Sequence, residues 1–445
     1  MLTPGRLAVL LGLLFGFTGM ASSAVTVTLP EVAAEFGVSA SGAVWMISAM
    51  TVALAVATPV HGRLADMVGI RAPLCFGLVA MSVGAIGAAL APNFAVLVGA
   101  RVLQGLGAAA VPVLATALIT ARLEGAERGA ALGRVAGFAA TLGSLGPTIG
   151  GAVEAVGGWR LTVAIPALGL LALPVMAKVA PSGGSRERMD WTGAALVTVA
   201  AAGLVLLLQS PSTGALVAGI GAALLLAGAP LLAGRVRRHP HGFLPRAIMT
   251  NPTVLRSAFA AAAVPTCWFA LLLGVPLAAA SWGWTPLQTG LLMVPAAVIG
   301  FISPALARRS LARVGARWSI AIACPIAATA LLVAALGAAL SSPVLLATSV
   351  LLVGVAFGIG QPAMLSAVGS AVDPGERGVA LGIATLVFLT GASIGAALVG
   401  GLAAVIGIPL AFCLLVVLPA AGFGALLLGG PDRVAPAATP AAEPA

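Results

Sequence analysis

At 445 residues, with 60% hydrophobic and 8% charged side chains and a mean hydropathy of +1.14, the chain has more apolar surface than a soluble core can hide; soluble proteins average about 25% charged residues. The net charge of +10 lies in the short breaks between apolar segments rather than on one face, which suits membrane topology and anionic headgroups and excludes a nucleic-acid surface. Composition therefore predicts an all-α integral membrane protein with several spans. The choice of arginine over a single lysine, Lys178, points to a GC-rich bacterial source. Cys75, Cys267, Cys324 and Cys413 are far apart in apolar runs and read as small hydrophobes, with neither metal-ligand nor disulfide spacing.

An apolar run of about 20 residues can cross a bilayer as a helix. Fourteen such spans are read, at roughly 7–29, 42–60, 73–91, 95–119, 131–156, 160–179, 191–209, 213–233, 255–279, 288–306, 318–339, 344–368, 379–404 and 408–429. Residues 1–24, with Arg6, an apolar stretch and Ala21-Ser22-Ser23-Ala24, also have the outline of a signal peptide; the spans that follow at once favour a retained first span. The placement of basic residues sets the orientation. One set of loops holds Arg63, Arg71, Arg122, Arg128, Lys178, Arg186, Arg188, Arg235, Arg237, Arg238, Arg246, Arg308, Arg309, Arg313, Arg317 and Arg377. The other holds Arg160 with the acids Glu31, Glu35 and Glu154. The arginine-rich side, with both termini, is expected to be cytoplasmic, and the Ala/Pro-rich tail from Gly430 to be disordered.

In chain order, Thr18, Ser22 and Thr26 form a stripe on span 1 and are candidates to line a substrate cavity. Trp45, Met46 and Met50 on span 2, Trp268 and Phe269 on span 9 and Gln361 on span 12 could extend that lining. For each, ordinary packing or hydroxyl bonding to its own helix is the competing reading. His61, His239 and His241 are expected in solvated loops on the arginine-rich side. Between spans 2 and 3 runs Gly62-Arg63-Leu64-Ala65-Asp66-Met67-Val68-Gly69-Ile70-Arg71. Its glycines permit a tight turn, and Asp66 can accept charge-assisted hydrogen bonds, so a contact made in one conformation and broken in another would act as a latch; the competing reading is a solvated loop.

Span 4 contains Arg101-Val102-Leu103-Gln104-Gly105, with Arg101 inside an apolar segment at a cost of about 3 kcal/mol. Such a charge faces a partner or a wet cavity, and Gln104 shares its helix face; an arginine reaching out to the interface near Asn93 is the other reading. Span 5 carries Leu142-Gly143-Ser144-Leu145-Gly146-Pro147-Thr148-Ile149-Gly150-Gly151. A membrane helix tolerates the proline, and its small residues permit close helix contact, so this stretch reads as a bendable packing surface or as a generic small-residue face. No nucleophile–base pair, phosphate loop or metal cluster is visible, so neither enzyme activity, cofactor nor metal is expected.

An internal repeat runs through the chain. Glu127-Arg128-Gly129-Ala130-Ala131-Leu132-Gly133 recurs as Glu376-Arg377-Gly378-Val379-Ala380-Leu381-Gly382, and in that register Ser144, Gly146 and Gly151 meet Ser393, Gly395 and Gly400. With a slightly different offset, Val68-Gly69-Ile70-Arg71 matches Val314-Gly315-Ala316-Arg317, with Ala312 in the place of Asp66. Both copies lie on the same side, so the repeat is parallel, as in transporters built from two six-span halves around a central site.

These motifs carry a resemblance. Gly62, Leu64, Asp66, Gly69 and Arg71 are similar to the signature loop of the major facilitator superfamily, which implies a gating role for Asp66 and Arg71. Arg101 with Gln104 and Gly105 resembles that family's span 4 motif, which implies proton coupling. Gly146, Pro147, Gly150 and Gly151 resemble its exporter motif. Fourteen spans, two of them introduced by Met189-Asp190-Trp191-Thr192-Gly193, resemble the fourteen-helix drug:proton antiporter branch. One departure stands out: that branch has an aspartate in span 1 before Leu29-Pro30, and the aligned residue here is Ala21. The resemblance implies a major facilitator fold: an N-terminal six-helix bundle over 1–180, a linker with two extra spans over 181–252, a C-terminal six-helix bundle over 253–429 and a tail over 430–445. It implies a monomeric efflux transporter in the plasma membrane that exchanges small apolar compounds for protons, with anionic lipids around it. An uncoupled facilitator or importer of a neutral metabolite, and a non-transporting membrane binding protein, are the competing functions.

Overall fold

The computed structural model describes residues 3–123, 125–184, 190–240, 242–244, 246–372 and 405–428, with scattered positions between 380 and 403. His241, the Glu376-Arg377-Gly378 copy, the tail and the side chain of Asp66 lie outside the described residues. Among those described, every regular element is helical, and ten helices are long and apolar enough to cross a membrane. Helix stands where the apolar runs were read: Pro4–Ser23, Trp45–Val68, Arg71–Ala89, Phe94–Ala108 with Ala110–Arg122, 125–157, 159–179, Trp191–Thr213, Ala215–Arg238, Pro252–Ser281, 294–314, 316–339, Pro343–Ser370, and Ile408–Leu415 with Val417–Leu427. The described positions between 380 and 403 are helical too.

Helix starts follow local chemistry. Thr3, Asn93, Asn251 and Ser342 each accept a hydrogen bond from a backbone N–H of the following turn, and Thr285 with Gln288 forms a reciprocal capping box. Pro4, Pro252, Pro286 and Pro343 occupy first-turn positions, where the missing N–H is no loss.

Several turns between spans use one device. Gly69 (φ 86°, ψ 167°) separates spans 2 and 3, and Gly315 (φ 77°, ψ 176°) separates spans 10 and 11. Gly158 (φ 70°, ψ 179°) breaks the helix between spans 5 and 6, and Gly407 (φ 81°, ψ 159°) precedes span 14. This backbone region is essentially glycine-only, so the residue type sets the turn. The repeat aligns Gly69 with Gly315, and the register that sets Glu127 against Glu376 also sets Gly158 against Gly407.

Close approach between helices is equally patterned. On span 5, a Cβ at Gly146 would lie 1.9 Å from Ser23 Oγ and one at Gly150 2.3 Å from Ala24 O, so span 5 meets the end of span 1 backbone to backbone. On span 13, a Cβ at Gly395 would lie 2.0 Å from Thr266 O and one at Gly391 2.4 Å from Ala262 O, both on span 9. Of the three buried apolar clusters among the described residues, one has its buried members within spans 1–6 and one beyond them. The third joins Val25, Leu29, Met46 and Trp159 to Cys267, Leu271, Leu331 and Phe412, so it crosses between the two parts.

Candidate functional site

Arg101 is fully buried, so it does not reach out to the interface. Its Nε donates to Met46 O at 2.8 Å, Nη1 to Gln104 Oε1 at 2.6 Å and Nη2 to Ala21 O at 2.6 Å. The guanidinium thus ties spans 1, 2 and 4 together, and its bonded partners are neutral oxygens rather than a carboxylate. A buried charge without a counter-ion is held at considerable cost, and such groups in membrane spans mark function. Ala21, which stands where the resembling branch has an aspartate, meets the arginine through its main chain. Gln104 spends its carbonyl on the arginine, and its buried Nε2 has no hydrogen-bond partner. Gly105 lets span 4 approach this closely: a Cβ there would lie 2.2 Å from Met50 O.

On the arginine-rich side, Gly62 and Asp66 fall within the helix of span 2, and Gly69 makes the turn. A Cβ at Gly69 would sit 2.5 Å from Gly183 N, so the turn packs on the chain leaving span 6. Arg71 fixes that contact: its Nε donates to Ala180 O at 2.9 Å and its backbone N–H to Pro181 O at 3.1 Å. Arg122 donates to Val179 O beside it. Arg317, the repeat counterpart of Arg71, donates to Leu426 O at the end of span 14. Both arginines therefore satisfy carbonyls that a helix C-terminus leaves unpaired.

His61 differs from the sequence expectation. The helix of span 2 runs on to Val68, so the ring is not in a loop but buried, with Nε2 3.0 Å from Leu106 O. The drop in hydropathy at His61-Gly62-Arg63 suggested a loop, but helical hydrogen bonding does not require apolar side chains. His239 is exposed after span 8.

Span 5 stays helical through Pro147, and its far face meets span 10. A Cβ at Gly290 would lie 2.5 Å from Pro147 O, and Thr148 Oγ1 donates to Gly290 O at 2.6 Å. Gly151, next to Gly150, is buried in the same packing. Beside this junction, on the side opposite the arginines, lies a cavity of about 360 Å³. Thr26, Pro30, Glu31 and Glu154 line it from spans 1 and 5, and Pro276, Trp284 and Thr289 from spans 9 and 10. Glu31 and Glu154 thus bring two carboxyl groups to one cavity, and Glu154 Oε2 is buried with no hydrogen-bond partner. The acids were visible in the sequence, but nothing in their spacing announced that Pro30-Glu31 would meet span 5.

Two polar clasps brace the periphery. Glu35 accepts from the Trp159 indole at 2.5 Å and pairs with Arg160 at 2.6 Å, while Arg160 also donates to Ala89 O and Ala91 O. The lone basic residue of those loops is thus neutralised, and the Trp159 hydrogen bond, with help from Arg160, holds Glu35 below the ordinary carboxylate range. Asp190 caps span 7 at Gly193 N (2.9 Å), pairs with Arg235 of span 8 at 2.8 Å and accepts from Phe243 N at 3.2 Å. Burial alone would raise its titration, but the Arg235 contact and these two N–H groups together lower it.

The other cavity candidates scatter. Thr26 lines the cavity while its hydroxyl bonds Ser23 O. Thr18 bonds Leu14 O, and Ser22 faces Met50 Sδ at 3.8 Å, all three residues buried. Trp268 packs on Phe357 with ring centres 5.4 Å apart. Trp45 and Gln361 are half-buried away from the cavity lining.

The family model described as Major Facilitator Superfamily matches residues 11–388 and again 258–445. The multidrug resistance protein Stp of Mycobacterium tuberculosis is 32% identical over 305 residues, 66% of this chain and 56% of that protein. The cephamycin export protein CmcT of Amycolatopsis lactamdurans is 35% identical over 193 residues, 42% of this chain and 39% of its own length. This chain thus spans little more than half the length of the first of these relatives. With its helices, its repeated glycine turns and a family match over most of its length, the chain belongs to the major facilitator superfamily.

Proposed function

We propose that the chain is an efflux transporter that moves small apolar compounds out across the plasma membrane by alternating access, driven by inward proton flow. The observation that carries this reading is the cavity shared by spans 1 and 5 with spans 9 and 10, which Glu31 and Glu154 both line. A helix that lacks one internal hydrogen bond, packed between span 1 and span 10, is a site where the two parts can rock. The relatives named for multidrug resistance and cephamycin export support outward transport of small molecules. Under this reading the spans divide into six-helix bundles over 1–180 and 253–429 around the two linker spans, and the protein works as a monomer without enzyme activity. The arginine-rich side is cytoplasmic with both termini, and there it faces anionic lipid headgroups.

Arg101 with Gln104 is the central charge of the mechanism, the loop with Asp66 and Arg71 is the inner gate, and the Glu31–Glu154 pair takes the proton from outside in place of the missing span 1 acid. The test is ethidium transport into everted vesicles energised by a pH gradient, the direction that export takes across an inverted membrane. Collapse of the gradient is expected to stop transport, and Glu154→Gln to uncouple it from the pH of the outer side. Transport indifferent to the gradient would remove the proton from the reading. It would favour an uncoupled facilitator, which the meeting of Arg101 with the main chain of Ala21, rather than with an acid, already supports.

A further inference from the structure

We propose that His61 is a separate proton-binding site at the arginine-rich end of span 2, open to proton exchange only while span 2 is parted from the later spans; this rests on the alternating-access reading above. His61 is 4% exposed, and its Nε2 lies 3.0 Å from Leu106 O on span 4. A main-chain oxygen only accepts, so Nε2 carries the hydrogen and Nδ1 is left as a bare lone pair. That Nδ1 is buried without a hydrogen-bond partner. A second proton would sit there as a buried cationic N–H with no acceptor, so the closed packing has room for one hydrogen on the ring and not two.

The helix that carries His61 also packs across the molecule. Val60, Leu64 and Met67, on the same helix, pack against a cluster built wholly of residues beyond the first six spans, among them Ala194, Ala258, Met364 and Ala384. Those are contacts that a change of access on this side has to break, and their loss brings water to the helix that carries His61. The acceptor lies in the last turn of Phe94–Ala108, just before the interruption of span 4 at Ala109.

The ionisable groups on the neighbouring elements are mostly cations. Span 4 brings Arg101 and Arg122, span 3 Arg71 and Cys75, span 1 Arg6, span 9 Arg256 and span 11 Arg317, while Arg63 lies on span 2 itself. Asp190 at the head of span 7 is engaged by Arg235, and Asp66 follows one turn and more along span 2. What returns a proton taken up on opening is the closed packing itself, which buries Nδ1 without an acceptor.

The test is hydrogen–deuterium exchange at the histidine ring carbon, read by mass spectrometry on the full chain in detergent from about pH 5 to 9, with exposed His239 as the internal reference. In the unaltered chain, His61 is expected to exchange about tenfold or more slowly than His239. In a Leu64→Ala, Met67→Ala variant, checked for a monodisperse fold, His61 should approach His239 and titrate. His61 tracking His239 in the unaltered chain, or remaining slow in the unpacked variant, overturns the proposal. A second arm uses His61→Gln, which keeps a donor for Leu106 O but cannot titrate. Its ethidium efflux should lose most of its dependence on the pH of the arginine-rich side, and an unchanged pH profile overturns the proposal. If the unaltered chain moves no ethidium at any pH, the transport reading fails instead, and the exchange comparison still decides His61.

Discussion

Gly69 and Gly315 hold nearly the same backbone, and the arginine two residues after each, Arg71 or Arg317, reaches a carbonyl at the end of a later span, Ala180 or Leu426. Their surroundings differ. A Cβ at Gly69 would strike the chain at Gly183, whereas one at Gly315 would meet nothing within 4 Å. The same contrast recurs within the spans. Gly146 and Gly395 both bring their helices against a neighbour's backbone, but Pro147 is matched by Ala396, Asp66 by Ala312, and Arg101 by an uncharged stretch near Leu351. What the two copies share is scaffolding set by local backbone chemistry. What only the first copy carries differs from site to site: the Pro147 carbonyl meets Gly290 of the later part, and Arg101 is a buried charge held by spans 1, 2 and 4. The duplicated frame supplies the geometry, and under the proposed mechanism the single-copy residues are what would give it a direction.

The largest expected break in this comparison is at Arg101. Arg101 has no bonded carboxylate to strand, and replacing it by an apolar residue of similar volume also removes the cost of burying its charge. Arg101→Met should therefore leave the thermal midpoint within a few degrees while cutting gradient-driven ethidium export by about tenfold or more, the effect of 1.4 kcal/mol on a barrier. Equal loss of fold and export would make the residue a structural clamp only.

Next comes the glycine pair. An alanine forced into this backbone region costs about 1–3 kcal/mol. Gly315→Ala should lower thermal stability by that strain alone, and Gly69→Ala by more, because its methyl also meets Gly183. Equal losses would show that the turn, not the packing, dominates at both sites.

The linker spans provide a smaller effect. Asp190→Ala removes a helix cap and an ion pair and should cost about 1–2 kcal/mol of thermal stability. The sign of the pH dependence follows from the lowered titration of Asp190. Its contribution is fully present above the ordinary carboxylate value and is lost as pH falls through the lowered one. Asp190→Asn should therefore flatten the acid limb of a stability–pH curve and leave the neutral region displaced but level.

The smallest effect tests the shared device. Arg71→Gln and Arg317→Gln each remove a donor from helix-end carbonyls and should cost about 1 kcal/mol apiece. A matched pair of losses in thermal melts supports duplicated scaffolding. An Arg71 variant that keeps its stability but loses export would move Arg71 among the single-copy functional parts.

Most of the fold was legible residue by residue. Apolar runs, caps such as Asn93 and Thr285, and glycines such as Gly69 state their own conformations, because helix formation and bilayer burial add up along one segment. Arg101 also announced itself, since a charge within an apolar run is conspicuous whatever surrounds it. Its partners did not: the oxygens of Ala21 and Met46 look like any other backbone oxygens in the sequence. His61 was misplaced because the fall in hydropathy was read as the end of a helix that in fact continues through it. Glu31 and Glu154 belong to different spans, and only the close contact permitted by Gly146 and Gly150 brings span 5 against the end of span 1.

Composition and periodicity thus settled the membrane class, the helices, the repeat and the presence of a buried charge, all of which are sums over neighbouring residues. The tertiary structure alone decided which carbonyls hold Arg101, which carboxyl groups share a cavity and what encloses His61. Each of these depends on the relative placement of two or more helices. That placement is set by packing between residues far apart in the chain, whose complementarity no single segment records.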